Sequence, residues 1–480
     1  MRTIVCLVIV ITTLCNPVFA KVKDVKIRGY VTSVTSGTQF EIEDYRVSRD
    51  DGFVLDFENA SPELQFKLED IRVGVELEIR GTFDDETGEL KAKTIKIDMD
   101  QFKPHKQTAI LSQPPAGVEH LEEGWTGVFL VDDQRIRVTP QTQILFRLTN
   151  REKKLAKKSD KTAQDEAAFE PLRSLADVTI GMAMTYEGRR EPDGTINATR
   201  VEFARNDLEP GEKKIWDSLK MTTKPFNAAQ GLAGELKIAQ IGKFKTVPDQ
   251  EVENYVNRIG QQLIPEYQRS LAPNDPGKIP FRFFVVQQKT PNAFALPNGI
   301  VVIHSSMFDI VDNEAQFAAI VGHEIAHAVQ EHTWRSQQYQ KGKRTMLAIG
   351  AAIAAAYGQY AVRDALTLVQ AAMQNGYQRN LENQSDRLGL EYMVNAGYDP
   401  REAPRVWKEM TNKLGDSPTD FFWSNHDNNA TRRSYLMNEL KNNYGTLEYS
   451  QLQTNGVEFQ RIVARVRAAS SGKRKIKVTN

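Results

Sequence analysis

The sequence predicts a multidomain chain in which two small all-β domains precede a mainly α-helical α+β domain. A glycine-punctuated pattern of alternating strands occurs twice, at about 25–97 and again at about 125–203, and from about residue 215 the apolar spacing becomes helical. The length of 480 residues leaves room for two to four domains at roughly 100–200 residues each.

The chain opens on a segment that reads as a secretory signal. Arg2 supplies positive charge, Ile4 to Leu14 is an apolar run too short to span a bilayer, and Val18-Phe19-Ala20 ends in small residues at the two positions a signal peptidase reads. Lipidation at Cys15 is the less favoured alternative, because bulky Leu14 precedes it. Both cysteines, Cys6 and Cys15, fall inside the segment. A mature chain starting at Lys21 would hold no disulfide and no thiolate ligand, so any metal must be bound by histidines and carboxylates. Export without disulfides fits the bacterial periplasm.

In the first β domain, Val25-Lys26-Ile27 and Val75-Glu76-Leu77-Glu78-Ile79 alternate strictly, and the cluster from Asp84 to Gly88 is a turn. The plan recurs. Gly74 and Gly81 match Gly181 and Gly188 at equal spacing, and Gly88, Ala92 and Ile95 match Gly194, Ala198 and Val201. Gly29-Tyr30-Val31 is aligned with Gly127-Val128-Phe129, and Asn150 to Ala167 is a polar insertion in the second copy. His105 and His120 fall in the intervening linker. Each copy resembles the five-stranded OB-like barrels found as accessory modules in exported bacterial proteins.

In the third domain, Val252, Tyr255, Val256, Ile259 and Leu263 recur at helical spacing. Strand-like runs follow at Phe281 to Val286 and Ala293 to Ile303, and then helix almost to residue 445. Ala- and Gly-rich Met346 to Tyr360 is read as a close-packed helix, not a membrane span.

The apolar helix from Phe317 to Val329 is interrupted by His323-Glu324-Ile325-Ala326-His327. Residues i and i+4 share a helical face, so two imidazoles can aim at one point with Glu324 beside them. Two neutral imidazoles suit Zn²⁺, and the adjacent carboxylate can take a proton from water. Two surface histidines would instead have polar neighbours, which these lack. Downstream, Glu382 and Asp386 stand one turn apart. Alone they would be an exposed acidic face, but beside the histidine pair Glu382 suits a third ligand. Asp386 then suits an acceptor for a ligand's N–H. His332 is read as a structural hydrogen-bonding residue, and His304 also as structural.

These motifs, in order, resemble those of the M48 family of metallopeptidases, gluzincins that include the HtpX heat-shock protease, the CAAX prenyl proteases and the mitochondrial Oma-type and periplasmic Bep-type enzymes. The resemblance covers about 245–440. It takes in Asn292-Ala293-Phe294-Ala295-Leu296-Pro297-Asn298-Gly299, the helix with His323 to His327, Glu382 to Asp386 with Gly397-Tyr398-Asp399-Pro400 beyond, and Asn425-His426 with Arg432. It implies a zincin fold, one Zn²⁺ per chain on His323, His327 and Glu382, and Glu324 as general base. His426 would stabilise the oxyanion or cap the metal in a latent state, with Arg432 in support. Ser385 stands where the family usually has Ala, and Asp427 where it usually has Pro. Asn292, Ala293, Phe294 and Ala295 begin a stretch, Asn292 to Ile303, read as an edge strand that can take an extended polypeptide by main-chain hydrogen bonds.

The expected domains are a signal at 1–20, OB-like domains at 21–104 and 118–207, a zinc metallopeptidase domain at 215–450 and a basic tail at 451–480. Lys+Arg equals Asp+Glu at 62 each, which gives no reason to expect a nucleic-acid partner. The expected substrates are misfolded or unassembled envelope proteins, with envelope partners possible through the β domains and no transmembrane span in the mature chain. The competing reading is a chaperone-like binding protein, against which retention of Glu324 argues. A zinc hydrolase of small molecules is disfavoured by the edge strand.

Overall fold

The computed structural model describes residues 22–470, apart from 37–38, 43–44, 61–65, 149–168, 192, 206–212, 214–215, 228–229, 231, 240, 337–376 and 415–428. The signal segment, the insertion from Asn150 to Ala167, the run from Met346 to Tyr360, and His426 with Asp427 all lie outside the described residues. Among the described residues no helix is long and apolar enough to cross a membrane.

Strands β1 (Val22–Ser36), β2 (Gln39–Ile42), β3 (Tyr45–Glu58), β4 (Glu76–Asp84) and β5 (Glu89–Asp98) close a barrel in the order β1-β2-β3-β5-β4. Only β3 and β5 run parallel. Alternate residues such as Ile27, Val31, Leu77, Ile79, Ile95 and Ile97 fill its interior, as period-two patterning requires.

A second β unit follows the same path with its first strand broken. It comprises β6 (His105–Ile110), β7 (Val118–Leu121), β8 (Gly124–Val131), β9 (Gln134–Val138), β10 (Gln143–Arg147), β11 (Phe169–Pro171), β12 (Ala183–Arg190) and β13 (Ile196–Ala204). Strand β6 pairs with β12 as β1 pairs with β4, and β7 pairs with β8 as β1 pairs with β2. The glycine matches hold physically. Gly74 and Gly181 both have positive φ, and their N–H groups donate to Val31 and Leu111 respectively. Gly81 and Gly188 sit at equivalent register shifts opposite Ala92 and Ala198, where a Cβ would strike the partner strand.

Two readings of the β region change. The partner of Gly29-Tyr30-Val31 is Ala109-Ile110-Leu111, not Gly127-Val128-Phe129, because Val31 and Leu111 make the same paired main-chain bonds to the Gly74 and Gly181 turns. Glycine identity misled the alignment. The stretch read as a linker therefore supplies strands: His105 is in β6 and His120 in β7.

The third region begins with an antiparallel sheet, β14 (Met221–Lys224), β15 (Glu235–Ile238) and β16 (Gly242–Lys245), where helical patterning was expected. Helices α1 (Gln250–Leu263) and α2 (Glu266–Ser270) follow. Asp249 caps α1 by accepting from the N–H groups of Glu251 and Val252, and the five predicted apolar residues are buried. Next come β17 (Arg282–Val286), β18 (Ala293–Ala295) and β19 (Ile300–His304), ordered β17-β19-β18. Among the described residues the further α-helices are α3 (Glu314–Val329), α4 (Arg379–Asn395), α5 (Glu402–Leu414), α6 (Asn429–Tyr444) and α7 (Gly456–Ser470).

The single strand expected from Asn292 to Ile303 is a hairpin. Pro297-Asn298-Gly299 turns the chain, with Gly299 at φ +81°, and of the hairpin's two strands β18 lies at the sheet edge while β19 is central. The basic tail is also corrected. Phe459, Ile462, Val463 and Val466 recur at helical spacing, are buried in the main core, and Phe459 stacks on Phe308. Its arginines face acids, with Arg465 on Asp249 and Arg467 on Asp309.

Candidate metal centre

Helix α3 starts at Asn313, whose side chain accepts from Gln316 N–H, and presents His323, Glu324 and His327 on buried turns. Helix α4 crosses it where Gly322 meets Gly389. A Cβ on Gly389 would stand 3.3 Å from the main-chain nitrogen of His323, so two glycines permit the close approach that delivers Glu382.

His323 Nε2 and His327 Nε2 lie 2.9 Å apart, and the Glu382 carboxylate lies 3.4 Å from the first and 3.6 Å from the second. Zinc bonds of about 2.0–2.2 Å in tetrahedral array put neighbouring donors ~3.3–3.5 Å apart. The observed spacings straddle that range, and two imidazoles with one carboxylate are a donor set borne by zinc. The three residues fit one Zn²⁺.

Each candidate ligand histidine is held from behind. His323 Nδ1 is 2.9 Å from Asp386 Oδ1. Asp386 in turn accepts from Arg432, from Nε at 2.8 Å and also from Nη2. The Arg432 guanidinium is itself buried and lies over the Trp407 ring, 3.7 Å from its centroid. Burial acts to raise the Asp386 pKa, but Arg432 and the His323 N–H outweigh it and hold it below the ordinary carboxylate range. Burial and Arg432 act to lower His323, yet Asp386 and Glu382 lift it to about 9, so a cation entering here displaces a proton.

His327 Nδ1 lies 2.8 Å from His332 Nδ1, whose ring also meets Ser385 Oγ at 3.2 Å and, through Nε2, Gln384 Oε1 at 3.1 Å. Burial pushes His332 well below the usual histidine range. Tyr377 stacks on His327 with ring centroids 4.2 Å apart and donates its N–H to Glu382 at 3.2 Å.

Glu324 accepts from the N–H of Ala295 at 2.9 Å, which ties it to edge strand β18. Burial, with the nearby Glu382 adding to it, pushes its carboxyl up to about 8, against the pull of His323 and the Ala295 N–H. A carboxyl poised there exchanges protons near neutral pH. The side-chain Oδ1 of Asn292, just before β18, is buried without a hydrogen-bond partner among the described residues.

The structure thus brings together His323, Glu324, His327, Glu382, Asp386, Arg432 and β18. Sequence reasoning passed over Gln384, Tyr377 and Trp407. Trp407 carried a signal, an aromatic at helical spacing with Ala403 and Met410, but nothing local ties it to an arginine 25 positions on.

Two family models match. Residues 250–440 match Peptidase family M48, and residues 28–96 match a domain of unknown function, DUF5666. Among curated proteins, the Beta-barrel assembly-enhancing protease of Escherichia coli (strain K12) is 29% identical over 184 residues, covering 37% of this chain and 36% of that protein. The Mitochondrial metalloendopeptidase OMA1 of Arabidopsis thaliana is 28% identical over 291 residues, 57% of this chain and 58% of that protein. That of Saccharomyces cerevisiae is 32% identical over 136 residues, covering 28% and 38%. The chain spans 36% to 58% of the length of these relatives.

Proposed function

Because residues 250–440 are an M48 peptidase domain, we propose that this chain is a zinc-dependent endopeptidase acting on exported, misfolded or unassembled polypeptides. The observation that carries the reading is the convergence of His323 Nε2, His327 Nε2 and the Glu382 carboxylate beside a buried Glu324. Zinc held there would polarise a scissile carbonyl and acidify water. Glu324 takes the proton of the attacking water and passes it to the leaving amine, oriented by the Ala295 N–H. Edge strand β18 aligns an extended polypeptide by main-chain hydrogen bonds. His426 stabilises the developing oxyanion or screens the open side of the centre. Arg432 acts through Asp386 and His323.

The apolar N-terminal segment and the names of the bacterial relatives support an envelope, periplasmic setting. The strand order β1-β2-β3-β5-β4, with β3 parallel to β5, supports an OB-like reading of the first barrel and, by the repeat, of the second unit.

The test is chelator-sensitive cleavage of unfolded casein by a protein carrying about one zinc per chain. Glu324→Gln should keep the zinc and lose turnover by ~10² or more. Parental turnover in Glu324→Gln, or full zinc occupancy in Glu382→Ala, sinks the proposal.

A further inference from the structure

The second β unit reaches into the peptidase domain through the tip of its β8–β9 hairpin. Asp132 and Asp133 form this turn, both at positive φ, and Asp132 is only 3% exposed. Its main-chain carbonyl accepts from Arg387 Nε at 2.5 Å, and its carboxylate accepts from Gln384 Nε2 at 3.0 Å. Gln384 Nε2 also lies 3.2 Å from the Thr108 carbonyl of β6 and 3.2 Å from Gln330 Oε1. Gln330 Oε1 is itself held by the N–H of Ile110, again in β6. Three oxygens supplied or held by the second β unit thus surround one end of the Gln384 amide. That end must be the NH₂ group, since an amide oxygen there would face only acceptors.

The orientation propagates. With its NH₂ turned to the β unit, Gln384 presents Oε1 to His332 Nε2. His332 is fully buried, and its partners are an imidazole, an amide oxygen and a hydroxyl, with no carboxylate to hold a second proton, so it carries one N–H, spends it on Gln384 and leaves Nδ1 as an acceptor. His327 Nδ1, 2.8 Å away, must then be the donor, and Ser385 Oγ, 3.2 Å from His332 Nδ1, can serve that nitrogen as a second donor. A proton fixed on His327 Nδ1 leaves its Nε2 lone pair bare, facing His323 and Glu382. His323 obtains the same tautomer from Asp386 within its own domain.

We propose that Gln384 is a positioning residue through which the second β unit sets the tautomer of the metal-ligating His327. The proposal rests on His327 being a ligand, as argued above. It makes the β unit part of the metal centre's support, not a tethered accessory.

The experiment measures zinc affinity of the full chain by competition with a chromophoric chelator, and the d–d spectrum of the Co²⁺-loaded protein. Gln384→Met keeps side-chain length and deletes the amide. It should weaken zinc binding by about 10–100-fold, the usual effect of losing such a support, and alter the Co²⁺ bands. Asp132→Ala should weaken binding by up to about tenfold. Asp132→Asn retains an acceptor oxygen for Gln384 and should restore parental affinity. Asp133→Ala loosens the same turn at Tyr444 and leaves the relay intact, so it should bind zinc as the parent does. A folded Gln384→Met protein with parental affinity and bands overturns the relay. Parental affinity in Asp132→Ala, or equal losses in Asp132→Ala and Asp133→Ala, overturns the part assigned to the β unit. Should Gln384→Met fail to fold, the Asp132 pair decides. A parent chain that binds no zinc would overturn the proposed function itself.

Discussion

Substituting Asp386 by Asn tests whether the candidate ligand histidines owe their tautomers to fixed partners. The carboxylate meets three donors with two oxygens: Oδ1 takes His323 Nδ1–H and Arg432 Nη2, and Oδ2 takes Arg432 Nε. An amide offers one oxygen. If that oxygen stays on His323, the NH₂ opposes a guanidinium N–H. If it turns to Arg432, His323 Nδ1 must accept and its proton moves to Nε2, the nitrogen aimed at the metal. The second arrangement should cost zinc about 10–100-fold in affinity. Folding should suffer too, because Arg432 is 1% exposed and its other carboxylate, Glu382, lies 3.6 Å away. Removing one partner of a buried ion pair costs about 3–5 kcal/mol, and the remaining carboxylate puts this case near the lower end. Because the folded pKa of Asp386 is depressed, its contribution is fully present above the unfolded pKa of about 3.9 and is lost as pH falls through the lower folded value. Urea denaturation of parent and variant in chelator at neutral pH gives the folding term, and chelator competition gives the zinc term. A loss below about 1 kcal/mol together with zinc affinity within about threefold of the parent would refute the reasoning.

Asp132 has the opposite linkage. Burial pushes it up to about 6, with Arg387 and Gln384 pulling back, so stability should fall by about 3 kcal/mol as pH rises from about 4 to about 6 and level off above. Asp132→Asn should abolish that slope, and denaturation midpoints across this window check it. Gly389→Ala gains helix propensity but sets a methyl 3.3 Å from the main-chain nitrogen of His323. A net loss of about 1 kcal/mol in thermal denaturation is expected, and a gain would show that the helix crossing has slack. For His426→Ala, casein cleavage should change with zinc retained: a rise means the imidazole screens the centre, a fall means it stabilises the oxyanion, and no change removes it from the site.

The local geometry of the site was legible because a helix is periodic. His323 and His327, and likewise Glu382 and Asp386, are i and i+4 pairs whose shared faces follow from 3.6 residues per turn alone. The glycines of the β repeat were legible because positive φ and strand contact admit little else. Where two local signals competed, the reading failed. The charges from Arg461 onward hid the apolar stripe of α7, and glycine identity put Gly127 in place of Ala109.

What the sequence determined by itself is therefore the set of groups that could bind a metal and the faces they share. Tertiary structure alone decided which proton sits on which nitrogen. That depends on acceptors brought from far along the chain: Asp386 63 positions after His323, and Asp132, in another domain, 252 positions before Gln384. No periodicity reports such contacts, because they arise from how whole units pack. In a buried site a hydrogen-bond partner fixes the tautomer, and the tautomer fixes which lone pair is free to bind the metal.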